Sequence, residues 1–449
     1  MPTNPFSNYS ETIEWLYNLH LFGIKFGLDK VRKLMEYLGN PQDKLKIIHV
    51  GGTNGKGSVC SMLASMLSEA GYSVGLNTSP HLSDFTERIQ INGETITEQE
   101  VIDYTNLLAE VREKVNSETK FGYATYFEVV TAMALQYFHD KKVDYVILEV
   151  GLGGSLDATN VVNPIITIIT DISLDHTEHL GDTLTSVAEN KAGIIKPGVP
   201  VITSNAHPEV IDLLFKTCEK KNSPLVQVGK EIDFMIRKSN LEGIEFYYHG
   251  LNSNYSDLQI PLLGEYQCIN ASLALGALEL IEKMEGLNMS EAAIRTGLLK
   301  TRWPGRLEII QDSPTVLVDG AHNPAGAHEL RNALDMFEYN NLSLVFGCSE
   351  EKDIKGLLNE LLQLTNRIYI TQADIRRAAD PDMILEHIKD YPVEKVVIRS
   401  VSAAVHTAIE QADEDDLVCI FGSLFVVGEA RELWINKDSS EKKLPRIHY

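Results

Sequence analysis

Short apolar runs, each closed by glycine or a polar cluster, alternate along this chain with longer stretches whose apolar positions recur every third or fourth residue. The runs read as buried strands and the longer stretches as amphipathic helices. Helices are expected at 12–19 and 29–38, and residues 45–64 read as a strand, a glycine-rich turn and a helix. Strands follow at 73–77, 145–150 and 165–170, with helices at 98–115, 127–138 and 184–195. Alternation of this kind predicts an α/β fold, a doubly wound and mostly parallel sheet with helices on both faces. Between 232 and 260 the period drops to two, as in Glu245-Phe246-Tyr247-Tyr248, which predicts an antiparallel edge. Helices resume at 266–283 and 289–299, and Arg302-Trp303-Pro304-Gly305-Arg306 then interrupts any regular element. Beyond it, strands near 316–318, 344–346, 368–370 and 417–421 predict a smaller, Rossmann-like α/β unit. The expected division is 1–300, a hinge at 301–306, and 307–449, with 438–443 a solvated tail.

At 449 residues the chain is long enough for two such units, each with its own core. The formal charge of −23 argues against nucleic acid or an anionic membrane as partner. The five cysteines are scattered without Cys-x-x-Cys spacing and read as buried residues of a reducing compartment. No basic start leads into an apolar run, and the apolar stretch 417–427 is too short to span a bilayer. A cytoplasmic protein is expected.

The chemistry gathers at strand ends. In Gly51-Gly52-Thr53-Asn54-Gly55-Lys56-Gly57-Ser58, glycine-freed N–H groups, a helix N-terminus and one lysine converge, which is an anion site suited to a nucleotide triphosphate. The spelling departs from the common one, because Gly57 follows the lysine and the hydroxyl comes at Ser58. Ligands of an open parallel sheet bind beyond the strands' carboxyl ends. Ser79, Glu149, Asp171, Asp175 and His176 fall there, with Lys191 on the next helix. Carboxylate, imidazole and hydroxyl beside polyphosphate suit Mg²⁺, which takes few protein ligands. Each residue alone is as well explained by structure or solvent; their coincidence beside Lys56 favours the metal.

The motifs together resemble those of folylpolyglutamate synthases and dihydrofolate synthases, the folate branch of the Mur ligase superfamily. His49 to Ser58, Ser79-Pro80-His81-Leu82, Glu87-Arg88-Ile89, Glu149 to Gly154, Leu156 to Asn160 and Asp175-His176-Thr177 occur in family order. So do Glu189 to Lys196, Gln267 with Asn270, Trp303 to Arg306, Asp319 to Pro324 and Gly422-Ser423-Leu424. The resemblance implies a ligase that uses ATP to join L-glutamate to a folate or dihydropteroate carboxylate through an acyl phosphate. It implies that Asn54, Gly55, Lys56, Gly57 and Ser58 bind ATP with Asn270, Arg306 and Asp319. Ser79, Glu149, His176 and a carbamylated Lys191 would bind Mg²⁺, with Lys56, His176 and Lys191 as catalytic residues. His322 and Ser423 would hold glutamate, and Phe127, Leu156 and Asp157 the pterin. A monovalent cation and a monomeric state complete what it implies.

Two departures stand out. Gly51 occupies a position that is often alanine, and Ser155 one that is often arginine, which removes a cation expected near the pterin. Rival readings are a cell-wall ligase of the same superfamily and a nucleotide-binding protein that does not ligate. The first usually carries a UDP-binding domain ahead of its phosphate loop, and the 44 residues before Leu45 are too few for one. The second has no use for His322 and Ser423.

Overall fold

A computed structural model describes residues 5–19, 27–120 and 122–435; the tail expected at 438–443 lies outside them. The first α/β body is built on eight strands: β1 (Ile47–Gly51), β2 (Val74–Asn77), β3 (Ile89–Ile91), β4 (Glu94–Thr95), β5 (Tyr145–Glu149), β6 (Ile166–Ile169), β7 (Val201–Thr203) and β8 (Leu225–Gln227). Their order across the sheet is β4-β3-β2-β5-β1-β6-β7-β8. All neighbours run parallel except β3, antiparallel to β2, and β4, antiparallel to β3. The carboxyl ends of β1, β2, β5 and β6 therefore share one rim, which is where the chemistry was expected. Strands β1, β2, β5 and β6 are buried along their whole length, since helices cover both faces.

The antiparallel segment is not an edge of this sheet. Strands β9 (Asp233–Asn240), β10 (Gly243–His249) and β11 (Asn254–Ile260) form a separate three-stranded sheet in the order β11-β10-β9. Its alternation puts Ile244, Phe246, Tyr248, Leu258 and Ile260 on one face, packed into the core around the helix Tyr266–Glu285. Burying such side chains stabilises by roughly 1.5–3 kcal/mol each. Pairing onto the sheet edge would gain about 0.5–1.5 kcal/mol net per hydrogen bond, bonds the three strands already make largely with one another.

The second α/β body follows an irregular link after the helix Glu291–Lys300. Its strands are β12 (Glu308–Asp312), β13 (Thr315–Val318), β14 (Leu342–Phe346), β15 (Arg367–Gln372), β16 (Glu394–Ser400) and β17 (Leu417–Phe421), ordered β12-β13-β17-β14-β15-β16. Only β12 pairs antiparallel. The exposed pattern of β16 hid it from periodicity, as a strand at a sheet edge need bury little. The two bodies touch through Leu82, which packs against Val427 and lies beside Gly305 and Gly428. Among the described residues all five cysteines are buried and unpaired, and no helix is long and apolar enough to cross a membrane.

Candidate active site

The phosphate loop is held rigid from behind. The Thr53 N–H donates to the Asp171 carbonyl at 2.6 Å, and the Thr170 hydroxyl donates to the Asn54 carbonyl at 2.7 Å, both from the end of the adjacent β6. Gly55 caps the helix Lys56–Glu69 in the left-handed region, at φ 86°, and a side chain there would enter the Asn270 amide. The unusual Gly57 has a tertiary cause, since the Trp303 indole lies where its Cβ would be. The hydroxyl moves one place on, to Ser58, which accepts from the Gln267 amide at 3.4 Å.

Two lysines turn toward the same backbone. Lys56 Nζ donates to the carbonyls of Gly52 at 3.3 Å and Thr53 at 3.0 Å, and Lys191 Nζ donates to Gly52 at 2.6 Å. Lys191 is 4% exposed. Burial first, and then the charge of Lys56, lower its pKa to about 7. A lysine in this setting has its neutral, nucleophilic amine available near neutral pH, which ordinary surface lysines lack.

Glu149 ends β5 and accepts the Ser79 N–H at 2.8 Å. Burial raises its pKa, opposed by Lys56. His176 adopts a left-handed conformation at φ 49° ahead of the short helix Thr177–Leu180. Burial first, then Lys352, lowers its pKa to about 3, so the ring is neutral with a lone pair to offer. Glu149, Ser79 and His176 line one cleft with Lys191. Among the described residues no three His, Cys, Asp or Glu side chains stand together as a metal cage. One buried carboxylate with a hydroxyl and an imidazole nevertheless fits Mg²⁺, which keeps phosphate oxygens and water in its shell.

The facing wall comes from the second body. Asp319 follows β13, and its carboxylate accepts the N–H groups of Leu307 and Ala321, each at 2.8 Å. Burial raises its pKa and Arg306 opposes the rise. The His322 Nδ1 lies 2.8 Å from the Gly320 carbonyl. Asn323 caps the helix Pro324–Leu334 and exchanges amide hydrogen bonds with Asn54 at 3.0 and 3.3 Å. Lys352 reaches across to Asp175 at 2.5 Å. Burial alone would raise Asp175, but His322 and Lys352 outweigh it and hold the carboxyl well below the usual range.

All of Asn54, Gly55, Lys56, Gly57, Ser58, Ser79, Glu149, His176, Lys191, Asn270, Arg306, Asp319, His322 and Ser423 line a single cleft of ≈ 380 Å³ between the two walls. The three residues expected at the pterin do not join them. Phe127 lies beneath Gly151, where it would meet a Cβ, and Leu156 is 47% exposed. Asp157 is buried, with its oxygens accepting from the Leu152 N–H and from the Thr159 N–H and hydroxyl. These bonds hold the loop that follows Gly154. Ser155 likewise turns away from the cleft, its hydroxyl donating to the Asn190 carbonyl at 2.8 Å against Gly193.

Lys352, Tyr266 and Glu329 also line the cleft and Asn323 bridges its walls, and residue patterns did not single out any of them as a ligand. Lys352 carried one signal, as the cation nearest after the carboxyl end of β14.

A glycine-rich anion loop on one α/β body, facing acid, imidazole and lysine groups on a second, defines an ATP-type amide ligase of Mur architecture. Residues 50–278 match the Mur ligase middle domain, and residues 305–424 match the glutamate ligase domain of Mur ligases. The dihydrofolate synthase/folylpolyglutamate synthase of Bacillus subtilis is 35% identical over 436 residues, covering 95% of this chain and 99% of its own. The structure of Escherichia coli FolC in complex with DHPP and ADP superposes with a TM-score of 0.87 at 32% identity, covering 98% of this chain and 100% of that one. Mycobacterium tuberculosis folylpolyglutamate synthase, complexed with ADP and AMPPCP, gives 0.88 at 30% identity, covering 97% and 99%. The chain belongs to the dihydrofolate synthase/folylpolyglutamate synthase family. It is a ligase that joins glutamate to a folate-type carboxylate at the expense of ATP.

Proposed function

We propose that this enzyme is bifunctional, extending both dihydropteroate and a reduced folate by glutamate. The support is that relatives matching nearly its full length, from Bacillus subtilis and Escherichia coli, carry both activities in their names. The observation that carries the mechanism is the single cleft in which Lys56, Glu149 and Lys191 face Arg306, Asp319 and His322. Asn54 to Ser58 hold the ATP phosphates by backbone N–H groups and Lys56, while Asn270, Arg306 and Asp319 hold the rest of the nucleotide. A carboxylate is a poor acyl donor, so its oxygen first attacks the γ-phosphorus and ADP leaves. Lys56 stabilises the charge that builds on the transferred group. Ser79, Glu149, His176 and Lys191 are the residues that would hold Mg²⁺, whose chemistry there is to neutralise phosphate charge.

Lys191 as a bare ammonium would repel that cation. Its amine, neutral above about 7, can add to carbon dioxide with loss of one proton, giving an anionic carbamate. The second body brings glutamate to His322 and Ser423. Its α-amine attacks the acyl carbon, a tetrahedral intermediate forms, and phosphate leaves as the amide closes. The walls meet about the link 301–306 and exclude water from the acyl phosphate.

The test is phosphate release from Mg-ATP with L-glutamate, comparing dihydropteroate and tetrahydrofolate, with Lys56→Ala as control. Glutamate-dependent release with both pterins is expected. Release with one alone restricts the enzyme to that branch, and release indifferent to glutamate overturns the assignment of the cleft.

A further inference from the structure

One cleft carboxylate has no part in the chemistry above. Asp175 stands beyond β6, on the phosphate-loop wall. Its Oδ1 accepts the Lys352 ammonium at 2.5 Å and the His176 N–H at 2.8 Å. Its Oδ2 accepts the Asn323 amide at 3.2 Å and lies 3.3 Å from His322 Nε2. Lys352, His322 and Asn323 all belong to the opposite wall. The side chains of Asp175 and Lys352 are 8% and 9% exposed, so solvent screens this pair little. The His322 Nδ1 already faces the Gly320 carbonyl, leaving Nε2 to look across the cleft at the carboxylate.

Lysine and imidazole converging on one carboxylate is the arrangement by which a protein binds an acidic ligand. Here the carboxylate belongs to the protein. A glutamate landing at His322 and Ser423 brings a second carboxylate toward the same lysine and imidazole. Two carboxylates sharing one desolvated site repel strongly, so one must yield.

We propose that Asp175 is the positioning residue of the amino-acid subsite: its carboxylate draws Lys352 and His322 across the cleft and is exchanged for a carboxylate of the incoming glutamate. The proposal rests on the assignment of His322 to glutamate. Asp175 closes the walls before the amino acid arrives, and only a ligand with a carboxylate to replace it can enter. Once displaced, Asp175 no longer draws on Lys352, while the Asn54–Asn323 amide pair still joins the walls.

The experiment compares Asp175→Asn, Asp175→Glu and Lys352→Gln, with His322→Ala as a check on the subsite. Steady-state constants for glutamate are measured at saturating Mg-ATP and pterin, and small-angle scattering is recorded with and without glutamate. Asp175→Asn removes the competitor, so the glutamate KM falls about fivefold while kcat falls about tenfold from lost positioning. Lys352→Gln cuts the same ion pair from the other side, yet raises the glutamate KM at least about tenfold. Asp175→Glu keeps the charge and recovers part of the kcat lost in Asp175→Asn, with a glutamate KM between that of Asp175→Asn and the parent. Both cutting variants scatter as more open without glutamate, and glutamate recloses Asp175→Asn alone.

A merely structural ion pair would move KM in the same direction in both cutting variants, and that result overturns the exchange. If His322→Ala leaves the glutamate KM unchanged, it is the subsite assignment that fails. If His322→Ala raises KM while Asp175→Asn does not lower it, the exchange alone is wrong. Should Asp175→Asn fold poorly, the scattering of Lys352→Gln still decides whether the pair closes the cleft.

Discussion

The two walls of the cleft satisfy their cations in opposite ways. On the phosphate-loop wall, Lys56 and Lys191 donate to carbonyls of Gly52 and Thr53, in the loop of their own body. On the facing wall, Lys352 and His322 are directed at Asp175 of the other body. The phosphate loop and its two lysines lie within one α/β body and are tied to the end of β6. The facing wall reaches its geometry only when the bodies meet. Binding of the ATP phosphates and of the amino acid should therefore respond differently to mutation, the first mainly within the loop and the second through closure.

The largest break expected is Lys56→Ala. Removing a charge that acts on the transferred phosphoryl group should lower kcat by about 10³-fold, with little change in the glutamate KM measured on the residual activity. Next comes Lys191. If it acts as a carbamate, Lys191→Arg should be as poor as Lys191→Ala, each down about 10²-fold, because guanidinium cannot be carbamylated at neutral pH. The sign with pH follows from its lowered pKa. Below about 7 the amine is protonated and cannot react, so activity should fall as pH drops through 7, and added bicarbonate should partly restore it. Equal activity of Lys191→Arg and the parent enzyme would remove the carbamate.

On the other wall, His322→Ala should raise the glutamate KM by about 10-fold and leave the ATP KM within about twofold. A parallel rise in both would erase the distinction between the walls. The smallest effect expected is at their seam. Gly57→Ala pushes a methyl group into Trp303 and should cost about 1–3 kcal/mol by overpacking, read in denaturant titration. The double variant Gly57→Ala with Trp303→Leu should recover part of that loss, since the two positions are in contact and their effects should not add.

Much of the phosphate-loop wall was legible without a structure. In a parallel sheet the strand polarity alone puts Ser79, Glu149 and Asp171 on one rim with the loop after β1, whatever the side chains around them do. Other features needed the fold. The segment 232–260 has the alternation of a sheet edge, but alternation reports only that one face is buried, not against what; here it is the helix Tyr266–Glu285. The hydrogen bonds that Asp157 makes to Leu152 and Thr159 are likewise visible only in the fold.

The sequence by itself determined the strand–loop–helix that makes the anion site, the order of the elements, and the family to which the chain belongs. Those properties depend on local periodicity, glycine conformation and short spacings, which neighbouring residues specify among themselves. Only the tertiary structure decided why Gly57 is glycine, and which cations face Asp175. Trp303 is far from Gly57 along the chain, and Lys352 and His322 far from Asp175. Contacts of that range depend on how two separately folded bodies dock, and no local pattern encodes the partner across the cleft.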